Sequence, residues 1–382
     1  MYRDKLIPLT EPSFDAAELE NLSACLDSRW VTQGPMTLRF EEGLSALVGA
    51  QHMLATTSCT AALHLAMMAA GIGPGDEVIV PALTWVTSAF SVEYVGARVV
   101  FVDIDPVTLN IDPDKIDAAC TDATRAIIAV HLFGLAAPMD EIMAIARRRN
   151  LIVIEDAACA IGTTYKDRHV GTIGDIGCFS FHPRKVITTG EGGAVSAQDS
   201  SLADTVASLR NHGANGLHPP EAEPHGPWSM ARFDSVGFNL RLSDIQAAVG
   251  VAQLAKLEGL LLDRRRQADL YLSLLEHDHR LALPVKDAGH TYQSFVVRLV
   301  NGDRRRRNQV MTQLSNAGIA TRPGTHAVHR LGYYRLQQPG LSFANAEAGE
   351  DLTITLPIVP FAESGLTHFV ADNLTSALDA TG

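Results

Sequence analysis

The sequence predicts an α/β fold: a mainly parallel sheet covered by helices on both faces, followed by a smaller C-terminal α/β domain. Three observations lead there. The first half of the chain holds continuous apolar runs separated by helical patterns, as buried parallel strands require. Beyond about residue 255 the texture changes to a long Leu- and Arg-rich stretch and scattered strand-like runs. The 382 residues, 46% hydrophobic, suffice for one large and one smaller core.

The elements follow in order. His64 to Ala70 is the apolar part of a helix, closed by GIGPGD. EVIVPA (77–82), ARVVFVDI (97–104), TRAIIAVHLFG (124–134) and NLIVIEDAA (150–158) are strands, with a helix running toward Arg149. Phe179 to His182 alternate apolar and polar, the pattern of a half-buried strand. Ala255–Leu275 is a helix, Gln293–Val300 a strand with a helix after it, and Thr353–Pro360 a late strand. The predicted domains are 1–255 and 256–382, with no Pro/Gly/Ser linker between them. Asp303 precedes four arginines, Arg304 to Arg307, which reads as a solvated helix start.

Composition excludes several classes. A net charge of -12 opposes nucleic acid as a partner. Five cysteines, without a C-x-x-C pair, suit a reducing cytoplasm and give no zinc framework. The N-terminus lacks the apolar core of a secretory signal, and no run of about 18 apolar residues predicts a membrane span.

Chemistry concentrates in CFSFHPRKVITTGEGGA (178–194), where Lys185 lies between an apolar strand and a glycine-rich turn. A lysine held still and partly desolvated in such a place can attack a carbonyl. TTSCTAALHLAMM (56–68) puts hydroxyl residues before a helix, with Ser58 or Cys59 as N-cap and Thr60 beside it, a phosphate cradle or an ordinary capped helix. Glu155–Asp156 closes a strand, so one of the two side chains faces the ligand side. A buried carboxylate there needs a cation, a protonated pyridine nitrogen or a metal ion, unless it caps a helix. Trp85 follows another strand and offers a ring for stacking or for the core. Together these signals describe a flat, phosphorylated ligand with a basic ring nitrogen and an aldehyde: pyridoxal 5′-phosphate (PLP). Neither a G-x-G-x-x-G turn after a strand nor a G-K-S/T phosphate loop occurs.

These residues resemble the DegT/DnrJ/EryC1/StrS family of sugar aminotransferases, in particular its perosamine-synthase-like nucleotide-sugar members. The resemblance runs through WVTQGPMTLRFEE, TSCTAALHLA, GIGPGDEVIVPALTWVTSA, VDIDPVTLNID, HLFG, the 153–194 segment, LRNHG and GFNLRLSDIQAAVG. It implies the fold type I architecture of PLP enzymes, with a seven-stranded sheet. It also implies that Lys185 is the Schiff-base lysine and general base, that Asp156 pairs with the pyridine nitrogen and that Trp85 stacks on the ring. Cys59, Thr60 and Ser180 match phosphate-binding positions. Asn239 matches an asparagine that reaches the phosphate from the neighbouring subunit, so a homodimer with shared active sites is expected. Two positions depart from the family pattern: Cys59 stands where glycine is usual, and Cys159 where glutamine commonly lies near the cofactor O3′.

The implied reaction takes an amino group from L-glutamate and gives it to a keto-sugar, a keto-octulosonic acid or a keto-cyclitol. A non-catalytic PLP- or sugar-binding protein is the alternative from another class. Substrate contacts are expected at His326, His329 and Arg241. His326 and His329 lack a third partner for a metal.

Overall fold

A computed structural model describes residues 6–218, 226 and 228–381. Seven strands form the main sheet: β1 (His52–Thr56), β2 (Glu77–Pro81), β3 (Arg98–Val102), β4 (Thr124–Val130), β5 (Ile152–Asp156), β6 (Ile176–Ser180) and β7 (Gly193–Ala197). Their order in space is β1-β7-β6-β5-β4-β2-β3. All neighbours pair in parallel except β7, which is antiparallel to both β6 and β1. The mainly parallel seven-stranded sheet expected from the sequence is therefore present. Two apolar cores flank it, one on each face.

The expected half-buried alternation near Lys185 is absent. All five residues of β6 are buried, because β6 is an interior strand and both sheet faces are covered. Only beyond Ser180 does the chain leave the sheet and become partly accessible, at His182.

Helices set the frame. α1 (Ala16–Ser28) opens with a capping box, Asp15 and Glu18. α2 (Pro35–Val48) buries Phe40, Leu44 and Val48. α3 (Cys59–Ala69) follows β1 directly. A 32-residue helix, Asp244–Leu275, runs about 48 Å at the usual rise per residue. It begins eleven residues before the Ala255 expected from composition. Its start is set by Ser243, which caps the Gln246 N–H while the Gln246 side chain returns to Ser243. The S-x-x-Q signature in LSDIQ carried that information.

Asp244 fixes the chain's early turn to this helix. Its carboxylate accepts from the N–H groups of Gly34, Met36 and Thr37 and from the Thr37 hydroxyl. The long helix is apolar and long enough by composition to span a membrane, yet it is a core element here. Its N-terminal part, as far as Leu261, contributes Ala247, Leu257 and Leu260 to one core of the main sheet. Its second half gives Ala268, Tyr271 and Leu275 to a third core.

That third core covers a small antiparallel sheet: β8 (Leu281–Ala282), β9 (Phe295–Leu299) and β10 (Thr353–Leu356). The helix Arg304–Asn316 starts at Asp303, whose side chain accepts the Arg306 N–H. Of its leading arginines, Arg307 is buried and donates to the Glu350 and Thr353 carbonyls, so only part of that run is solvated.

Two buried histidines connect the fold to pH. Burial lowers both His169 and His290 to about 4. The neutral ring is also built in: His169 Nε2 accepts the Gly162 N–H at 2.8 Å, and His290 Nδ1 accepts the Tyr292 N–H at 3.0 Å. Their folded values lie below the ordinary 6.5, so the unfolded chain binds more protons between the two. Stability is complete above about 6.5 and falls as pH drops towards 4. Thermal denaturation followed by circular dichroism should show the midpoint flat near neutrality and declining across that window. A midpoint insensitive to pH there contradicts the assignment.

Candidate active site

The carboxyl ends of the parallel strands and the amino end of the reversed strand β7 meet at one edge of the main sheet, the default ligand position in such folds. A cavity of about 380 Å³ lies there. Lys185, Asp156, Trp85, Cys59, Thr60, Ser180 and Cys159 all line it. They come from four stretches of the chain, 59–60, 85, 156–159 and 180–185, and the fold brings all seven together.

Asp156 ends β5. Its neighbour Glu155 points to the opposite face, as strand alternation requires. The two carboxylates differ in how they are satisfied. Burial works against the charge on Glu155, but His131 and the N–H groups of Gly171 and Gly174 hold its carboxyl below the usual range. It accepts from Gly171, Ile173 and Gly174 at 2.6–2.7 Å and faces His131 Nε2 at 2.9 Å. Asp156, also buried, has two neutral donors only: the Ser88 hydroxyl at 2.7 Å and the Ala158 N–H at 3.1 Å. Ser88 is oriented in turn by Thr84 at 2.8 Å. A buried carboxylate without a cation among the described residues calls for one from a ligand.

The phosphate end is a helix start. Ser58 is the N-cap of α3, and its hydroxyl accepts the Ala61 N–H at 3.1 Å. The first N–H groups of the helix, at Cys59 and Thr60, have no intrahelical acceptor, and both residues line the cavity. Gly193 makes this packing possible. A Cβ there would lie 2.4 Å from the Ser58 carbonyl carbon and 2.5 Å from the Cys59 nitrogen. Only glycine lets β7 begin so close beneath that turn. Ser180, across the β6–β7 pair from Gly193, adds its hydroxyl.

Lys185 follows a turn in which its own N–H bonds the His182 carbonyl at 2.8 Å. Its Nζ donates to Cys159 Sγ at 3.0 Å, and it has no carboxylate partner among the described residues. The departure at Cys159 is thus a contact to the lysine itself. Cys59 sits fully buried; burial and nearby Asp156 push its thiol well above the ordinary value, so it remains a neutral thiol. Trp85 caps the helix Val86–Tyr94 and leaves its ring 56% exposed, with His326 beside it at 5.7 Å between centroids.

Four expected residues stand outside the lining. His326 lies at the rim, against Trp85 and 3.6 Å from Glu350. His329 is a correction: its ring is buried against Phe343, and Nε2 faces Glu347 Oε1 at 3.1 Å, so it packs the fold rather than meeting a substrate in this cavity. Arg241 donates to Asn211 Oδ1 at 2.6 Å. Asn239 is exposed and pairs through its backbone with Asn211. Sequence reasoning missed Ser88, His131, Arg184, Gln293 and Arg322. Ser88 sits three residues after Trp85, one turn along the same helix, and that spacing was the available signal. For Arg322 the sequence held none.

A model of the DegT/DnrJ/EryC1/StrS aminotransferase family matches residues 12–375. The chain belongs to that family. The enzyme is a PLP-dependent aminotransferase, and the cavity fits PLP: a helix start and hydroxyls for a phosphate, an unpaired buried carboxylate for a ring nitrogen, and a lysine for the aldehyde. It is 39% identical to the GDP-perosamine synthase of Caulobacter vibrioides, over 98% of this chain and 97% of that one. It is 37% identical to the spore coat polysaccharide biosynthesis protein SpsC of Bacillus subtilis, over 94% and 93%. Among solved structures, Spr1654 of Streptococcus pneumoniae in its PMP form superposes with a TM-score of 0.93 at 27% identity, covering 98% of this chain and 100% of that one.

Cys159 lines the cavity with partial access, whereas Cys25, Cys59 and Cys178 are buried. In PLP-free enzyme, iodoacetamide should label Cys159, and PLP should protect it while leaving Cys120 unaffected. Peptide mass spectrometry reads this directly. Equal labelling of Cys159 with and without PLP contradicts the placement.

Proposed function

We propose that this enzyme transfers an amino group from L-glutamate to the keto carbon of a nucleotide-linked keto-deoxysugar, in the biosynthesis of an amino sugar. The observation that carries the reading is that Lys185 and Asp156, neither paired to an opposite charge among the described residues, line one cavity with a helix start suited to a phosphate. The identity with GDP-perosamine synthase along nearly all of both chains supports the sugar class.

Each residue has a task. PLP, when bound, supplies an aldehyde carbon and a ring that absorbs carbanion charge. Lys185 Nζ is the group that binds that carbon. As a free amine, Nζ would take and hold the donor Cα proton as a general base. Asp156 keeps the proton on the ring nitrogen, and the Ser88 and Ala158 donors fix both its oxygens for that role. Trp85 presents its ring as one wall, while Cys59, Thr60 and Ser180 hold the phosphate. Cys159 keeps the lysine amine in place. We assign Asn239 to a partner subunit's phosphate site, which makes the working unit a homodimer, and place the enzyme in the cytoplasm.

Adding L-glutamate to the PLP-loaded enzyme should convert the yellow absorbance to that of pyridoxamine phosphate. A keto-deoxysugar nucleotide should restore it. Lys185→Ala should lose the lysine-linked absorbance and at least about 10²–10⁴ in rate; full turnover by that variant refutes the role. Asp156→Asn should still bind PLP but turn over about a hundredfold more slowly or worse. Unchanged turnover would assign the ring nitrogen to another group.

A further inference from the structure

The 3.0 Å contact from Lys185 Nζ to Cys159 Sγ puts a primary amine against a thiol 26 residues away in the chain. Among the described residues, neither side chain has another hydrogen-bond or ion-pair partner. Cys159 lies in the turn after β5 and Lys185 in the turn after β6. These two strands pair in parallel, with Asp156 opposite Cys178.

Both turns are held. The Ala160 N–H donates to the Ala157 carbonyl at 2.9 Å, and the Lys185 N–H to the His182 carbonyl at 2.8 Å. The Gln293 amide donates to the Arg184 carbonyl at 2.8 Å. Arg264, on the long helix, donates in turn to the Gln293 carbonyl at 3.3 Å and to the Thr10 hydroxyl at 3.1 Å. Thr10, Gln293 and Arg322 line one wall beside Arg184. With the backbone fixed on each side, amine and thiol can close on each other by side-chain rotation alone.

The five cysteines differ in their surroundings. Cys25, Cys59 and Cys178 are buried. Burial, and after it the Asp156 charge, push the Cys59 and Cys178 thiols well above the ordinary value, which keeps them protonated and inert. Cys120 is partly accessible, but its Sγ donates to the Ile116 carbonyl at 3.4 Å and meets no amine. Cys159 is partly accessible and lines the 380 Å³ cavity together with Arg184, Lys185 and Arg322. The Arg322 guanidinium is close enough to Cys159 for their charges to interact. A partly exposed thiol among cations is the setting in which sulfur is oxidised.

We propose that Cys159 and Lys185 are a covalent modification site: hydrogen peroxide joins Sγ to Nζ whenever the amine is not held by PLP. In the first step an oxygen of peroxide passes to the thiol, giving a sulfenic acid and water. Sulfur loses two electrons and the peroxide gains them. In the second step the Nζ lone pair attacks Sγ and the S–O bond breaks. The hydroxide leaves with a proton from the amine, as water. The product is a sulfenamide with two hydrogens fewer than the separate side chains. A dithiol reverses it. One of its sulfurs attacks Sγ and frees the protonated amine, and the second closes onto the first and releases the Cys159 thiol. Because the bond consumes the amine, it excludes PLP, and PLP excludes it. That mutual exclusion rests on the reading above that Lys185 binds the PLP aldehyde.

The test treats PLP-free enzyme with hydrogen peroxide at a pH of about 8.5, where an ordinary thiol is half ionised, followed by non-reducing digestion and mass spectrometry. The expected result is a linked pair of peptides containing Cys159 and Lys185, two hydrogens lighter than their sum and separated by dithiothreitol. Treated enzyme should also fail to gain PLP absorbance until dithiothreitol is added. Cys159→Ala should give no linked pair. In Lys185→Arg, dimedone should capture Cys159 as a free sulfenic acid, and circular dichroism verifies that both variants are folded. Oxidation of wild-type Cys159 to sulfinic acid without a linked pair overturns the proposal, as does equal dimedone capture in the wild type and Lys185→Arg. The two readings fail differently. If PLP-loaded enzyme forms the linked pair as readily as PLP-free enzyme, the Cys159–Lys185 bond stands and the assignment of Lys185 to the aldehyde falls. If Lys185 binds PLP and neither form gives the pair, the bond alone falls.

Discussion

Strand alternation at the end of β5 governs the site. Two acidic residues in succession, Glu155 and Asp156, must point to opposite faces of the sheet. The fold treats them in opposite ways. Glu155 is surrounded by His131 and three backbone N–H groups, and it anchors the loop at 171–174 to the sheet. Asp156 receives two neutral donors and no cation. The internal satisfaction of one carboxylate is what allows the other to be left for a ligand, because an additional unpaired charge in the same strand end would burden the fold. The helix start, Lys185 and Trp85 line the same cavity as Asp156.

The reversed strand β7 is the second determinant. Its glycine-bearing start passes directly under the first turn of α3, where no side chain fits. A parallel strand in this position would present its other end here. Reversal places the turn after Lys185 at the same sheet edge as the carboxyl ends of β1, β5 and β6, so lysine, carboxylate and helix start converge.

Much of this was legible in the residues. Continuous apolar runs revealed the buried strands, because parallel strands covered on both faces have no polar side to show. Lys185 and Asp156 stood out since each follows or ends such a run, and Thr60 because hydroxyl residues there precede an apolar helix. The failures have separate causes. Arg322, Gln293 and Thr10 reach one wall from three distant segments, and no local pattern encodes that convergence. His329 looked functional beside His326, but the short helical turn at 328–330 sends the two rings apart, one to Trp85 and one to Glu347. The long helix was read too short because its first eleven residues are small and mixed in character; its capping residues, not its hydrophobic pattern, mark its beginning.

The Asp244–Leu275 helix also bears on how the molecule comes apart. Its two halves serve different hydrophobic interiors, and its middle holds the Arg264 contacts to Thr10 and Gln293. Fraying from either end strips one interior of its longest wall and loosens the other through a continuous ladder of backbone hydrogen bonds. Neither interior has a private unfolding route. The small sheet and the lysine turn are thereby joined through one helix and the Arg264–Gln293–Arg184 contacts.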